Sequence, residues 1–223
     1  MEQRLPLSEE IVLLGANQLR RLKYRSYVET YSIGAIFIDL LLKKKIMLDE
    51  KGKVKVLDAQ ETGIQYMDKV ISIIDKAFRT KKLKGWIKYF HFRNRLRGKI
   101  HYSILQELQK KGVIVIGFKL PFLPLRKITE TNQSREQLVE LIHSQLITHG
   151  NPNEQTVALS YLLKETGLLK TYFDSKERKE IMDCIDSKKD QLSIDVNSIK
   201  KIERAIQDIT ACLSSLGGAI VTP

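Results

Sequence analysis

The sequence predicts a mainly α fold: one helical domain around a central apolar helix, with small β-hairpins. Three observations carry this. Residues 30–45 are apolar on nearly every side of a helix, as a buried core helix is. Two short β-branched runs are interrupted by glycine or proline, the mark of hairpins or extended arms. Elsewhere apolar residues recur three and four apart, with no internal repeat and no low-complexity linker. At 223 residues, 43% of them hydrophobic and 29% charged, the chain can bury a real core as a single domain spanning 1–223.

The elements follow in order. Leu5-Pro6-Leu7-Ser8-Glu9-Glu10 opens a helix: Ser8 is placed to cap, Glu9 and Glu10 suit the positive end of the dipole, and residues 11–14 are its apolar body. Residues 17–26 are polar and basic and read as a loop. The central helix runs over 30–45, and Lys43, Lys44 and Lys45 suit its C-terminus. Lys51-Gly52 divides two short runs, with Val54 and Val56 alternating with lysines, which predicts a hairpin. Thr62-Gly63 precedes a helix with Met67, Val70, Ile71, Ile74 and Phe78 on one face. Beyond residue 93, Leu96, Ile100, Ile104 and Leu108 fall four apart, and Gly112 ends that helix. VIVIGFKLPFLPLRKI, broken by Pro121 and Pro124, is a second hairpin or an extended arm. Three later helices are expected: 134–148, then 153–165 running through Gly167 toward Phe173, then 197–216. In the second of these, Val157, Leu159, Leu162 and Leu163 are the core residues.

The formal net charge is +12, and it is uneven. Residues 128–223 net −3 and the first 127 net +15, as a surface that meets polyanions would. Cys184 and Cys212 sit in no metal or redox spacing, which fits a reducing compartment. The N-terminus lacks the basic start and apolar run of a signal peptide. The most apolar segment, 33–42, is half a bilayer span and contains Asp39, so membrane contact is expected to be peripheral. His143 and His149 are six apart and do not share a helix face. No HExxH, CxxC or phosphate-loop pattern occurs, so neither a metal nor another cofactor is implied. Asp39 is the one odd carboxylate. With no His or second acid tied to it, it reads as a hydrogen-bonding anchor rather than a catalytic group.

The informative stretch is RTKKLKGWIKYFHFRNRLRGKIH, residues 79–101, with nine Lys or Arg, four aromatics and no carboxylate. Two chemistries fit it. Aromatics stack on bases while cations neutralise phosphates, or aromatics sit at headgroup level while cations meet anionic lipid. Trp86, Ile87 and Phe90 also lie at the spacing of a core stripe. Arg95 and Lys99, like Arg97 and His101, are four apart, so on one helix all four stand beside the apolar stripe, a cluster able to grip phosphate. A helix ending in Lys-Lys-Gly followed by a β-rich hairpin also imitates a winged-helix nucleic-acid binder, with Arg93, Asn94 and Arg95 at the reading end. A module for acidic partner tails is a third reading.

Taken in order, several segments resemble the Golgi phosphoprotein 3 family. They are LPLSEEIVLLG (5–15), GAIFIDLLLKKKI (34–46), Asp58 with Thr62-Gly63 and Met67-Asp68, Trp86-Ile87, LQELQKKGVI (105–114) and NPNEQTVALSYLLKETGLL (151–169). The resemblance implies a mostly helical domain with a central apolar helix and a protruding hairpin, and a non-enzymatic role. Eukaryotic members of the family bind phosphatidylinositol 4-phosphate on a basic face at the Golgi and hold cytoplasmic tails of glycosyltransferases. In some members the hairpin serves self-association. The family's lipid pocket uses a Trp, an Arg ahead of the central helix and two Arg before the KG turn. Here those positions fall on Tyr24, Ile33, Gly98 and His101, with Arg95, Arg97 and Lys99 as neighbours of the last two. The loop after the Trp helix is short, closer to the bacterial branch. Attraction to an anionic membrane needs charge density rather than one exact pocket.

The resulting expectation is a cytoplasmic, non-catalytic peripheral membrane adaptor, at the Golgi if eukaryotic. Tyr24, Arg25, Arg95, Arg97, Lys99 and His101 are assigned to the headgroup side, with Arg97 holding phosphate and Tyr24 at the interface. Lys81, Lys82, Lys84 and Lys88 add diffuse attraction. Phe118, Leu120, Phe122 and Leu123 on the second hairpin are candidates for self-association, making a homo-oligomer, or for membrane insertion.

Overall fold

The computed structural model describes residues 4–15, 22–120, 123–131, 133–188 and 211; the side chains of 22–27, 118–127 and Lys188 lie outside the described part. The fold is mainly α, with two small two-stranded antiparallel sheets. In chain order it runs α1 (Leu7–Gly15), α2 (Leu22–Leu42), β1 (Ile46–Leu48), β2 (Val54–Val56), α3 (Gln65–Asp75), α4 (Leu83–His91) and α5 (Asn94–Lys110). There follow β3 (Ile114–Leu120), β4 (Leu123–Glu130), α6 (Ser134–His143), a π-helical turn (Ser144–Thr148), α7 (Glu154–Glu165), α8 (Leu169–Tyr172) and α9 (Ser175–Lys188).

The central helix is α2. Every residue from 31 to 40 is buried, and α1, α3, α4, α5 and α7 all pack against it. A helix apolar on every side has to be wrapped on every side. It starts at Leu22, so residues 22–26, expected as loop, are helical, and 17–21 lie outside the described residues. It stops at Leu42. Lys44 takes φ +54°, its N–H donates to the Leu41 carbonyl at 3.0 Å, and that of Lys45 donates to Leu40 at 2.9 Å. This is the left-handed C-terminal closure that glycine usually supplies, and it places the three lysines beyond the helix rather than within it. Gly112, at φ +69°, closes α5 in the same way.

The N-terminus of α1 is satisfied from a distance. The Asp39 carboxylate accepts the Leu7 N–H at 2.8 Å and the Ser8 N–H at 2.9 Å, one on each oxygen. Asp39, not Ser8, is therefore the cap; the Ser8 hydroxyl donates to the Tyr66 hydroxyl instead. Glu9 and Glu10 lie in the first turn as expected but are fully buried, Glu9 against Lys111 and Glu10 against Arg4.

The first hairpin pairs Ile46 with Val56 and Leu48 with Val54, and Gly52 takes φ +72° in its turn. Thr62 donates both its N–H and its hydroxyl to Asp68, each at 2.7 Å, which ties down the approach to α3. Met67, Val70, Ile71 and Ile74 are buried, but α3 ends at Asp75, and Phe78, expected on the same face, is 97% exposed. The second apolar run is a hairpin in which Ile116 faces Ile128, Phe118 faces Arg126 and Leu120 faces Leu123. Asn153 caps α7 by accepting the Thr156 N–H at 2.9 Å, and all residues from 156 to 163 are buried. That helix does not run on to Phe173: Gly167, at φ +73°, breaks it before α8. Of the helix expected over 197–216 only Ala211 is described, and it is helical and exposed; α9 was not foreseen.

Burial pushes the Asp39 carboxyl up to about 7; the Ser8 and Leu7 donors oppose the rise and the charge of Glu10 adds to it. A carboxyl raised on folding stabilises the fold fully below its unfolded value and loses that contribution as pH rises through the folded one. From about pH 4 to about pH 7, Asp39 should thus contribute a fall in stability with a slope approaching ~1.4 kcal/mol per pH unit. Urea unfolding across this range should show that slope in the wild type and a shallower one in Asp39→Asn. The variant should also lose about 1–3 kcal/mol near pH 5, because the amide NH2 sets a donor against one of the two backbone N–H groups that the two Asp39 oxygens accept.

Candidate functional site

The basic stretch 79–101 folds as a short connection, then α4, then the first half of α5. Helical phase divides its side chains. On α4, Trp86, Ile87 and Phe90 are buried. Phe90 packs edge-on to Phe37 of α2 at 6.1 Å and beside Trp86 at 6.3 Å. These aromatics are core, and of the four in the stretch Phe92 is the exposed one. Base stacking on Trp86 or Phe90 would require unpacking them.

On α5 the split is sharper. Arg95 and Lys99, one turn apart, are both exposed. Arg97 and His101 are buried, with Ile100, Ile104, Leu105 and Leu108. The Arg97 Nε donates to the Glu29 carboxylate of α2 at 2.9 Å, and its Nη1 donates to the carbonyl of His91 at the end of α4. His101 meets the Ser32 hydroxyl at 3.3 Å, and His91 meets the Thr30 hydroxyl at 2.9 Å. Burial, then the Arg97 charge, pulls the His91 imidazole below its ordinary value. Residues 29, 30 and 32 of α2 therefore receive 91, 97 and 101 in a buried polar junction. Arg97, expected to hold phosphate, is engaged by the chain's own carboxylate. Its partner Glu29 stands 68 residues away, and no spacing rule points to it.

The other expected residues fall as follows. Tyr24 and Arg25 lie in the first turn of α2, with side chains outside the described residues. Lys82 is exposed, and Lys81, Lys84 and Lys88 are half-buried. Lys81 Nζ sits 5.7 Å from the Trp86 ring centre. Arg93 lies 3.6 Å over the half-buried Tyr89 ring. Of the nine cations in the stretch, Arg97 is the one with an ion pair among the described residues. Ile33 is fully buried, whereas a side chain added at Gly98 would meet open space. Phe118, Leu120 and Leu123 lie at the far end of the β3–β4 hairpin, with undescribed side chains, and Phe122 is outside the described residues.

Among the described residues no cluster of His, Cys, Asp or Glu is arranged to hold a metal, and no helix is long and apolar enough to cross a membrane. The family model for Golgi phosphoprotein 3 (GPP34) matches residues 7–206. The chain belongs to the Golgi phosphoprotein 3 family. No curated protein matches it. The match to this family runs from α1 past α9 and so takes in the α2–α4–α5 junction and the whole basic stretch.

Breaking the buried pair in this Golgi phosphoprotein 3 family member takes the neutralising guanidinium away from a buried carboxylate. Arg97→Ala should cost about 3–5 kcal/mol in urea unfolding. Arg95→Ala, at an exposed position, should stay within about 0.5 kcal/mol.

Proposed function

We propose that this chain is a non-catalytic adaptor that docks reversibly on an anionic membrane face through exposed cations of the 79–101 stretch. The observation that carries the reading is the pair Arg95 and Lys99, exposed on one face of α5 with no ion pair among the described residues, inside a run of nine cations and no carboxylate. Family membership supports the adaptor class. The chemistry is attraction between side-chain cations and lipid phosphates, worth about 1 kcal/mol per basic residue near the surface and screened by salt. Tyr24 and Arg25, at the start of α2, and Lys81, Lys82, Lys84 and Lys88 are the further residues of this reading. Arg97 and His101 serve it indirectly, by holding α5 so that Arg95 and Lys99 face outward. In a eukaryotic cell the membrane is the Golgi, and the clients are cytoplasmic tails of membrane proteins. The hairpin residues Phe118, Leu120, Phe122 and Leu123 are the proposed self-association or insertion element.

Sedimentation with liposomes tests the reading. The protein should pellet with phosphatidylserine or phosphoinositide vesicles, stay in solution with neutral ones, and be released as salt rises. Arg95→Glu with Lys99→Glu should weaken partition by about tenfold or more. Gly98→Arg should strengthen it, and should also stabilise α5 by about 1 kcal/mol, because glycine is a poor helix residue. Stripping from lipid by duplex DNA, with tight sequence-selective DNA binding, would replace the adaptor by a nucleic-acid binder.

A further inference from the structure

Between the end of α3 and α4 the surface opens into a groove of about 590 Å³. Lys69, Lys76, Arg79 and Lys81 line it, and no carboxylate does. Neither Arg95 nor Lys99 lines it, and of the cations already assigned to membrane attraction only Lys81 does. Walls of one charge raise the local concentration of the opposite one. Four cations sharing a groove repel one another until an anion joins them.

Two further observations bear on what that anion belongs to. Phe78, at the rim, is 97% exposed. It follows Ile74 by four residues, yet the chain leaves the helix at Asp75 and carries the ring outward. A phenyl ring held in water beside lysines and an arginine suits an interface whose inner side is apolar and whose outer side is phosphate. The Trp86 side chain also lines the groove, and its Nε1–H is buried with no acceptor among the described residues.

We propose that this groove is a second lipid-docking site, distinct from Arg95 and Lys99, which takes the phosphates of an anionic membrane surface on Lys69, Lys76, Arg79 and Lys81. Phe78 enters the boundary between headgroups and acyl chains. The proposal rests on the membrane-docking reading above and deepens it. Docking then uses two separated contacts, and two weak contacts on one rigid body multiply in effect.

Trp86 is the one tryptophan of the chain, so its fluorescence reports directly on the groove. Titration with phosphatidylserine vesicles should change Trp86 emission, and neutral vesicles should not. Lys76→Glu with Arg79→Glu should abolish the change and weaken pelleting by about tenfold or more. Phe78→Ala should weaken pelleting by about tenfold with an unchanged melting temperature, and should leave any response to soluble inositol hexakisphosphate intact. If the groove variants pellet like wild type while Arg95→Glu with Lys99→Glu does not, the groove proposal falls and membrane docking stands. If Phe78→Ala pellets like wild type and the soluble phosphate evokes the full emission change, the groove is a free-anion site and the proposal also falls. If the wild type pellets with no vesicle, both readings fall together.

Discussion

The buried contact between Glu29 and Arg97 decides what this molecule shows to its surroundings. A helix with cations at 95, 97 and 99 can turn any of them to solvent; burying two charges is tolerable only where they meet each other and further hydrogen bonds. Arg97 meets Glu29 of α2 and the His91 carbonyl at the end of α4, so three helices share one cation. With residue 97 fixed inward, helical geometry carries 100, 101, 104, 105 and 108 inward too, and 95 and 99 outward. The phase of α5 and the exposure of its remaining charges are thus one fact.

A second set of buried charges does the same for α1. Its free N–H groups go to Asp39, in the middle of the helix that everything else wraps. Glu9 is held by Lys111 and by the Tyr66 hydroxyl, and Glu10 by Arg4. Burial raises both carboxyls against these partners. Acids here are internal fasteners, while many cations of the first half of the chain stay at the surface. Glu29 is committed to Arg97, Asp68 to Thr62 and Glu107 to Lys110. The outward cations keep their charge for a partner, and the rigid frame keeps them in place.

Much of the fold was legible in the sequence because periodicity and punctuation are local. The all-apolar run of α2, the 96/100/104/108 stripe, and Gly52 and Gly112 each announced themselves within a few residues. Asp39 was legible as an anchor, though not its target. What was not legible depends on distance. Residues 22–26 look like a loop because their polar side chains give no apolar period, yet they extend a helix whose stability lies further along. Phe78 continues the stripe of α3 in sequence, but the chain leaves the helix before reaching it. Arg97 and Arg95 are indistinguishable by spacing alone; only Glu29, 68 residues away, separates the buried cation from the exposed one.

The most direct test of this account is a double-mutant cycle on Glu29→Ala and Arg97→Ala, followed by urea unfolding, with each variant also assayed for partition onto anionic vesicles while folded. The account predicts a coupling of more than about 1 kcal/mol and near wild-type partition for every folded variant in which α5 keeps its phase, because Arg97 holds the frame and does not meet the lipid. Near-zero coupling together with loss of vesicle binding in Arg97→Ala would make Arg97 a headgroup ligand and contradict it.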